Sequence, residues 1–156
     1  MTNEAQRAAL IGKAGEALVA AELLRQGIDV AYPAYDGGVD LLAYRGHDFE
    51  RVVPIQVKAR SETCYGFQKS WFHVDGLVLV QVWYTRTQPQ FYVFSTIEQV
   101  EEVLGDHCKT DSWRVQGGYT VTQPCDDDIK RMRPHRHRWE RVEDRLRAVR
   151  RPAAAR

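Results

Sequence analysis

The segment Gly76-Leu77-Val78-Leu79-Val80-Gln81-Val82-Trp83 is apolar except at its leading glycine and Gln81. A near-continuous apolar run of this length is what a buried central strand shows, since it does not alternate toward water. Gln90 to Phe94 reads as its antiparallel partner across Thr87-Gln88-Pro89. Upstream, Glu4 to Gln26 has the spacing of a helix, and Gly27 is its C-terminal signal. Strands are expected at Asp29 to Tyr32, Val39 to Tyr44 and Arg51 to Lys58, the last two joined by Arg45-Gly46-His47-Asp48. Ala59 to Asp75 carries Tyr65, Phe67, Trp71 and Phe72 without a clear period. Ser95-Thr96-Ile97-Glu98 reads as a capping box opening a short helix that stops at Gly105. Short strands near Trp113 and Tyr119 and the acidic link Asp126-Asp127-Asp128 follow. The order is that of an α/β fold.

Composition bounds the rest. With 156 residues, 44% of them hydrophobic, the chain suits a single domain with a buried core. No apolar run approaches the ~20 residues that cross a bilayer. The polar start Met1-Thr2-Asn3-Glu4 does not resemble a signal peptide, so a cytoplasmic protein without membrane contact is expected. Cys64, Cys108 and Cys125 are odd in number and too far apart for a zinc knuckle or redox pair, and read as reduced thiols or packing groups. The net charge of +1 hides an asymmetry, because eleven Lys or Arg against three acids fall in residues 129–156. The division expected is therefore a domain over 1–128 and a basic C-terminal arm, helical or disordered, over 129–156. Such an arm, with Arg131, Arg138, Arg145 and Arg147, suits phosphate binding; its competing reading is an arm folded back on the acidic body.

In the first helix, Leu10, Ala14, Ala17, Leu18, Ala21 and Leu24 form one apolar stripe, and Ala8, Gly12, Gly15, Val19 and Leu23 a second. Cover on both sides is expected. Glu16 lies in the second stripe with Lys13 as its local partner, and a carboxylate among glycine and apolar groups is costly unless it meets a cation or metal.

The stretch from Asp36 to Lys58 carries chemistry. A glycine turn leads to Asp40, and the strand Val53-Pro54-Ile55-Gln56-Val57-Lys58 sets Gln56 and Lys58 on one face while Val53, Ile55 and Val57 point to a core. With Asp40 on the neighbouring strand, an acid, an amide oxygen and an ammonium can converge, as metal-assisted attack on phosphate requires.

The combination of Gly12-Lys13-Ala14-Gly15-Glu16, Asp40 and Gln56-Val57-Lys58 about 16 residues later resembles the PD-(D/E)XK nuclease superfamily. The likeness is to its small endonuclease-like and Holliday-junction-resolvase-like branch, over roughly Ala8 to Leu104. It implies a restriction-endonuclease-like αβββαβ core with a mixed central sheet, and Mg²⁺- or Mn²⁺-dependent cleavage of DNA phosphodiesters. It further implies Asp40, Glu16 and the Gln56 oxygen, with the Val57 carbonyl, as metal ligands, and Lys58 as the motif lysine. Gln56 departs from the usual Glu or Asp, and no Pro-Asp pair precedes the strand, Pro33 lying seven residues before Asp40. DNA is the implied partner, with a homodimer where both strands are cut and no small-molecule cofactor. The alternative is a catalytically inactive module of the same fold that binds nucleic acid or serves assembly.

Overall fold

The computed structural model describes residues 3–35, 37–46 and 48–148, with only the backbone of Asp48 and Glu50. The apolar run forms β5 (Val78–Trp83), buried at every position. It belongs to a sheet of order β1-β2-β3-β5-β6, with β1 at Asp29–Ala31, β2 at Leu41–Arg45, β3 at Asp48–Ala59 and β6 at Gln90–Phe94. β3 and β5 are parallel, registered from Ile55↔Val78 to Ala59↔Val82, and the other pairs are antiparallel. Pro54 is tolerated in an inner strand because β5 starts opposite Ile55, beyond the edge that Pro54's missing N–H would face.

The result is an α/β fold with a mixed, mostly antiparallel sheet flanked by helices, in a restriction-endonuclease-like αβββαβ arrangement. The segment between β3 and β5, without period in the sequence, holds β4 (Tyr65–Gln68) and a 3-10 turn at Lys69–His73. β4 pairs with β7 (Gly118–Val121). Tyr65 and Phe67 are buried, so these aromatics cover the sheet, with Trp71 and Phe72 half-buried against the same cluster.

Alternation along the inner strands sends side chains into two cores. Val53, Ile55, Val57, Ala59, Val78, Val80 and Val82 lie beneath α1 (Glu4–Arg25) and α5 (Glu140–Arg147). Leu79, Trp83, Tyr92 and Phe94 pack with β4, α2 (Ile97–Leu104), Trp113 of α3 (Asp111–Arg114) and Met132 of α4 (Asp126–Met132).

α1 starts where Asn3 Oδ1 accepts from the Ala5 N–H at 3.2 Å, and ends before Gly27 at φ +72°. Its second stripe is the one that packs: Gly15, Val19 and Leu23 are buried. Gly15 is required by closeness, since a Cβ there would lie 2.2 Å from Ala59 Cβ. The first stripe is largely uncovered; Leu10 is 61% and Leu24 56% exposed, with Leu18 partly buried against the core, because an outer-layer helix meets the sheet on one side.

Three local expectations change. Trp113 lies in α3, whose start Thr110 caps by accepting from the Trp113 N–H, and not in a strand. Asp126-Asp127-Asp128 is the first turn of α4, where carboxylates meet the positive helix end. The cap of α2 is Thr96, one residue beyond Ser95.

The basic segment through Ala148 takes the folded-back reading. α4, a 3-10 turn at Arg133–His135 and α5 lie on the body, with Met132, His135, Trp139, Val142 and Leu146 buried. The arginines Arg150, Arg151 and Arg156 lie outside the described residues.

His135 stacks on Phe94, and its Nδ1 lies 2.9 Å from Arg141 Nη1. A guanidinium only donates, so Nδ1 is the bare nitrogen and Nε2 carries the proton. Burial, then the charges of Arg141 and Arg138, push its pKa from 6.5 down to about 4. Between these values the unfolded chain binds the extra proton, so stability is fully present above pH 6.5 and falls as pH drops toward 4. Denaturant melts at successive pH values should show that loss, on the order of 3 kcal/mol across the window, and His135→Gln should flatten it.

Candidate active site

Asp40 stands one residue before β2. Its N–H donates to the Ile55 carbonyl at 2.8 Å, prolonging the β2–β3 ladder past the strand end. Its side chain turns to β3, where Oδ2 accepts from the Val57 N–H at 2.6 Å and from Gln56 Nε2 at 2.5 Å. A glycine turn brings the chain there: Gly38 has φ +88°, and a Cβ on it would lie 3.7 Å from Gln56 Oε1. The turn thus lies against the Gln56 amide, whose residue is 3% exposed.

In a strand the N–H and C=O of one residue point to the same edge. Since the Val57 N–H reaches Asp40, its carbonyl faces the same gap beyond the start of β2. The Asp40 carboxylate, the Val57 backbone and the Gln56 amide therefore meet, as the sequence suggests, but with one difference. Gln56 turns its nitrogen, not its oxygen, toward Asp40, because an ionised carboxylate only accepts.

Lys58 lies two residues on and on the Gln56 face, half-buried. Its Nζ sits 5.0 Å from the centroid of the Trp71 ring, a cation–π contact that fixes the ammonium at the edge of the 3-10 turn. Opposite it in register is Gln81, 1% exposed, donating to the Gly66 carbonyl. Gln56, Lys58 and Gln81 form a polar strip on an otherwise apolar face. Trp71's contact with the lysine is the element of this site that sequence reasoning did not assign; its only signal was an aromatic among others in a segment without period.

Glu16 is buried, and its oxygens accept from Lys13 Nζ at 2.9 and 2.8 Å. α1 covers the Val57 and Ala59 face, opposite to the Gln56 and Lys58 side chains. Among the described residues the hydrogen bonds of Glu16 go to Lys13, so the structure does not join it to the Asp40 set. No group of three or more His, Cys, Asp or Glu side chains that could hold a metal occurs among the described residues.

The four arginines expected to bind phosphate, Arg131, Arg138, Arg145 and Arg147, have partners on the protein. Arg131 donates to the Val103 carbonyl at 2.7 Å and to Asp128 at 2.5 Å. Arg138 donates to the Pro134 carbonyl and pairs with Glu140, Arg145 donates to the Ser95 carbonyl, and Arg147 pairs with Glu143. Each guanidinium has five N–H donors, so exposed Arg138, Arg145 and Arg147 retain donors beyond these bonds, whereas Arg131 is tied into the α2–α4 contact.

The fold defines a class of architecture that a solved structure shares. The chain is similar to a bacterial homing endonuclease, I-Ssp6803I, at 16% identity over 87% of this chain and 92% of that one, with a TM-score of 0.52; this likeness is one of fold. It is also similar to Hjc, a Holliday junction resolvase from the archaeal hyperthermophile Archaeoglobus fulgidus, at 16% identity over 72% and 84% of the two chains and a TM-score of 0.44. No family model and no curated protein matches the sequence. No helix among the described residues is long and apolar enough to cross a membrane.

Proposed function

We propose that the protein is a Mg²⁺- or Mn²⁺-dependent endonuclease that hydrolyses DNA phosphodiester bonds. The observation that carries this reading is the meeting of Asp40 with Val57 and Gln56 at the start of β2, with Lys58 two residues beyond Gln56 on β3. The donor set suits a hard cation: one carboxylate, one backbone carbonyl and one amide oxygen. Mg²⁺ keeps several waters and takes one or two carboxylates plus substrate phosphates, so a cage of acids is not needed. When bound, the cation supplies a lowered pKa for a coordinated water and charge for the phosphate oxygens.

The chain's own residues do the rest. A half-turn of the Gln56 amide exchanges nitrogen for oxygen and makes it a ligand. Lys58, steadied by Trp71, offers a point charge to the phosphate or holds the attacking oxygen. Glu16 adds a second carboxylate in this reading by releasing Lys13. A second reading, an inactive nucleic-acid-binding or assembly module, is favoured by one observation: Gln56 turns its amide nitrogen to Asp40.

Cleavage of DNA by purified protein in Mg²⁺ or Mn²⁺, stopped by EDTA, tests the proposal. Gln56→Glu discriminates between the readings. It sets a second carboxylate against Asp40, so the metal-free variant should melt lower than wild type and gain more from Mn²⁺. Gln56→Leu should weaken metal binding by about 10- to 100-fold, read by calorimetric titration. Metal affinity equal in all three proteins excludes Gln56 as a ligand.

A further inference from the structure

Two large aromatic side chains stand in water beside the Asp40 site. Tyr32 is 59% and Tyr35 83% exposed, and both lie in the segment that links β1 to Asp40. Because Ala31 pairs with Leu42 and Asp40 bonds to Ile55, the chain leaves and re-enters the sheet at the end where Asp40, Gln56 and Val57 meet.

Tyr35 is close to that meeting point. A Cβ on Gly37 would lie 3.4 Å from Tyr35 Cε1 and 3.5 Å from its Cδ1, so the ring rests against the Gly37 backbone. The next residue, Gly38, abuts the Gln56 amide that bonds to Asp40. Ring, two glycines, amide and carboxylate thus form one continuous contact path, with the greater part of the ring open to solvent. Other rings here are used differently: Tyr65, Phe67, Trp83, Tyr92 and Phe94 are buried in mutual contact. Among the described residues neither Tyr32 nor Tyr35 stacks on another ring.

An open aromatic face beside a phosphate site matches one partner surface in particular, the face of a nucleobase. Stacking is tolerant of sequence, since every base has a π-face. Within a continuous duplex those faces are already occupied by neighbouring bases; an unpaired nucleotide leaves one free. Lys58, on the Gln56 face of β3, supplies charge of the kind that backbone phosphates need.

We propose that Tyr35, flanked by Tyr32, stacks on an unpaired base next to the phosphodiester presented to Asp40, so that the preferred substrate is DNA with an unpaired or splayed nucleotide at the cut. This rests on the endonuclease reading for the cut, though not for the stacking. The full chain should be titrated in EDTA against an oligo-dT strand and against a blunt duplex, using wild type, Tyr35→Ala and Tyr35→Phe. Tyr35→Ala is expected to lose at least about fivefold in single-strand affinity, with duplex affinity within about twofold and Tyr35→Phe close to wild type. A 2-aminopurine placed in the strand should lose fluorescence with wild type and Tyr35→Phe and keep it with Tyr35→Ala. Equal losses on both DNAs, no loss on either, or a changed oligomeric state with unchanged single-strand affinity would each overturn the proposal. If the single-strand preference holds while wild type fails to cut in Mg²⁺ or Mn²⁺, the endonuclease reading falls and the stacking site stands.

Discussion

Replacing Asp40 with alanine is expected to lower metal-dependent DNA cleavage by more than about 100-fold, since the carboxylate that meets Gln56 and Val57 is removed. The same change should destabilise the fold by about 1–3 kcal/mol, because the Val57 N–H and the Gln56 amide lose their acceptor in a half-buried place. Asp40→Asn separates the two effects: it keeps an acceptor and removes the charge, so activity should fall while most stability returns. Lys58→Ala should lose activity to a similar extent, with melting nearly unchanged because a half-exposed lysine on a tryptophan contributes about 1 kcal/mol. Initial rates in Mg²⁺ and in EDTA, beside thermal melts, check each variant. Cleavage at the wild-type rate by both Asp40→Ala and Lys58→Ala, after contaminant controls, rejects the assignment.

A chain ending at Asp128 is expected not to fold cooperatively. It lacks Met132, Trp139, Val142 and Leu146, each no more than 4% exposed. Burial of such side chains contributes roughly 1.5–3 kcal/mol each, hence about 6–12 kcal/mol together. That is comparable to the whole stability of a domain, about 5–15 kcal/mol. The sequence suggests a different outcome for this truncation, weaker DNA binding with the metal site spared, because arginines interleave with the apolar residues and hide them. A chain ending at Ala148 keeps all four and should fold cooperatively. Near-UV circular dichroism and urea titration of both chains decide the matter: a cooperative transition in the shorter chain would show that α5 is dispensable.

What was legible follows from how local the cause is. The start and end of α1, the antiparallel partner Gln90–Phe94 and the buried β5 are set by spacing, caps and an apolar run, all within a window of residues. The meeting of Asp40 with Gln56 and Val57 was legible because strand alternation fixes which side chains share a face. The amide's orientation was not, since it depends on which oxygen comes within reach. Glu16 shows the same limit: its pairing with Lys13 is local and readable, while its side of the sheet depends on where α1 docks, which Gly15 against Ala59 determines. The acids of α4 carried a usable signal, three carboxylates followed by Ile129 and Met132 at helical spacing. The exposed Leu10 and Leu24 carried none, because a helix with two apolar stripes reads alike whether one or both are covered.

The topology also orders folding in time. β1, β2 and β3 form a local antiparallel meander, and β5 with β6 a local hairpin, each of which pairs neighbours along the chain. They are joined by a parallel ladder, β3 with β5, and one face of that junction is completed by α5, which follows all the described strands. Loop-closure entropy delays such distant contacts, so the meander and the hairpin should form early and the closing of the sheet late. During synthesis the valines of β3 and β5 then stand uncovered on the α5 side until Trp139, Val142 and Leu146 emerge, the interval in which the nascent chain is most exposed to aggregation.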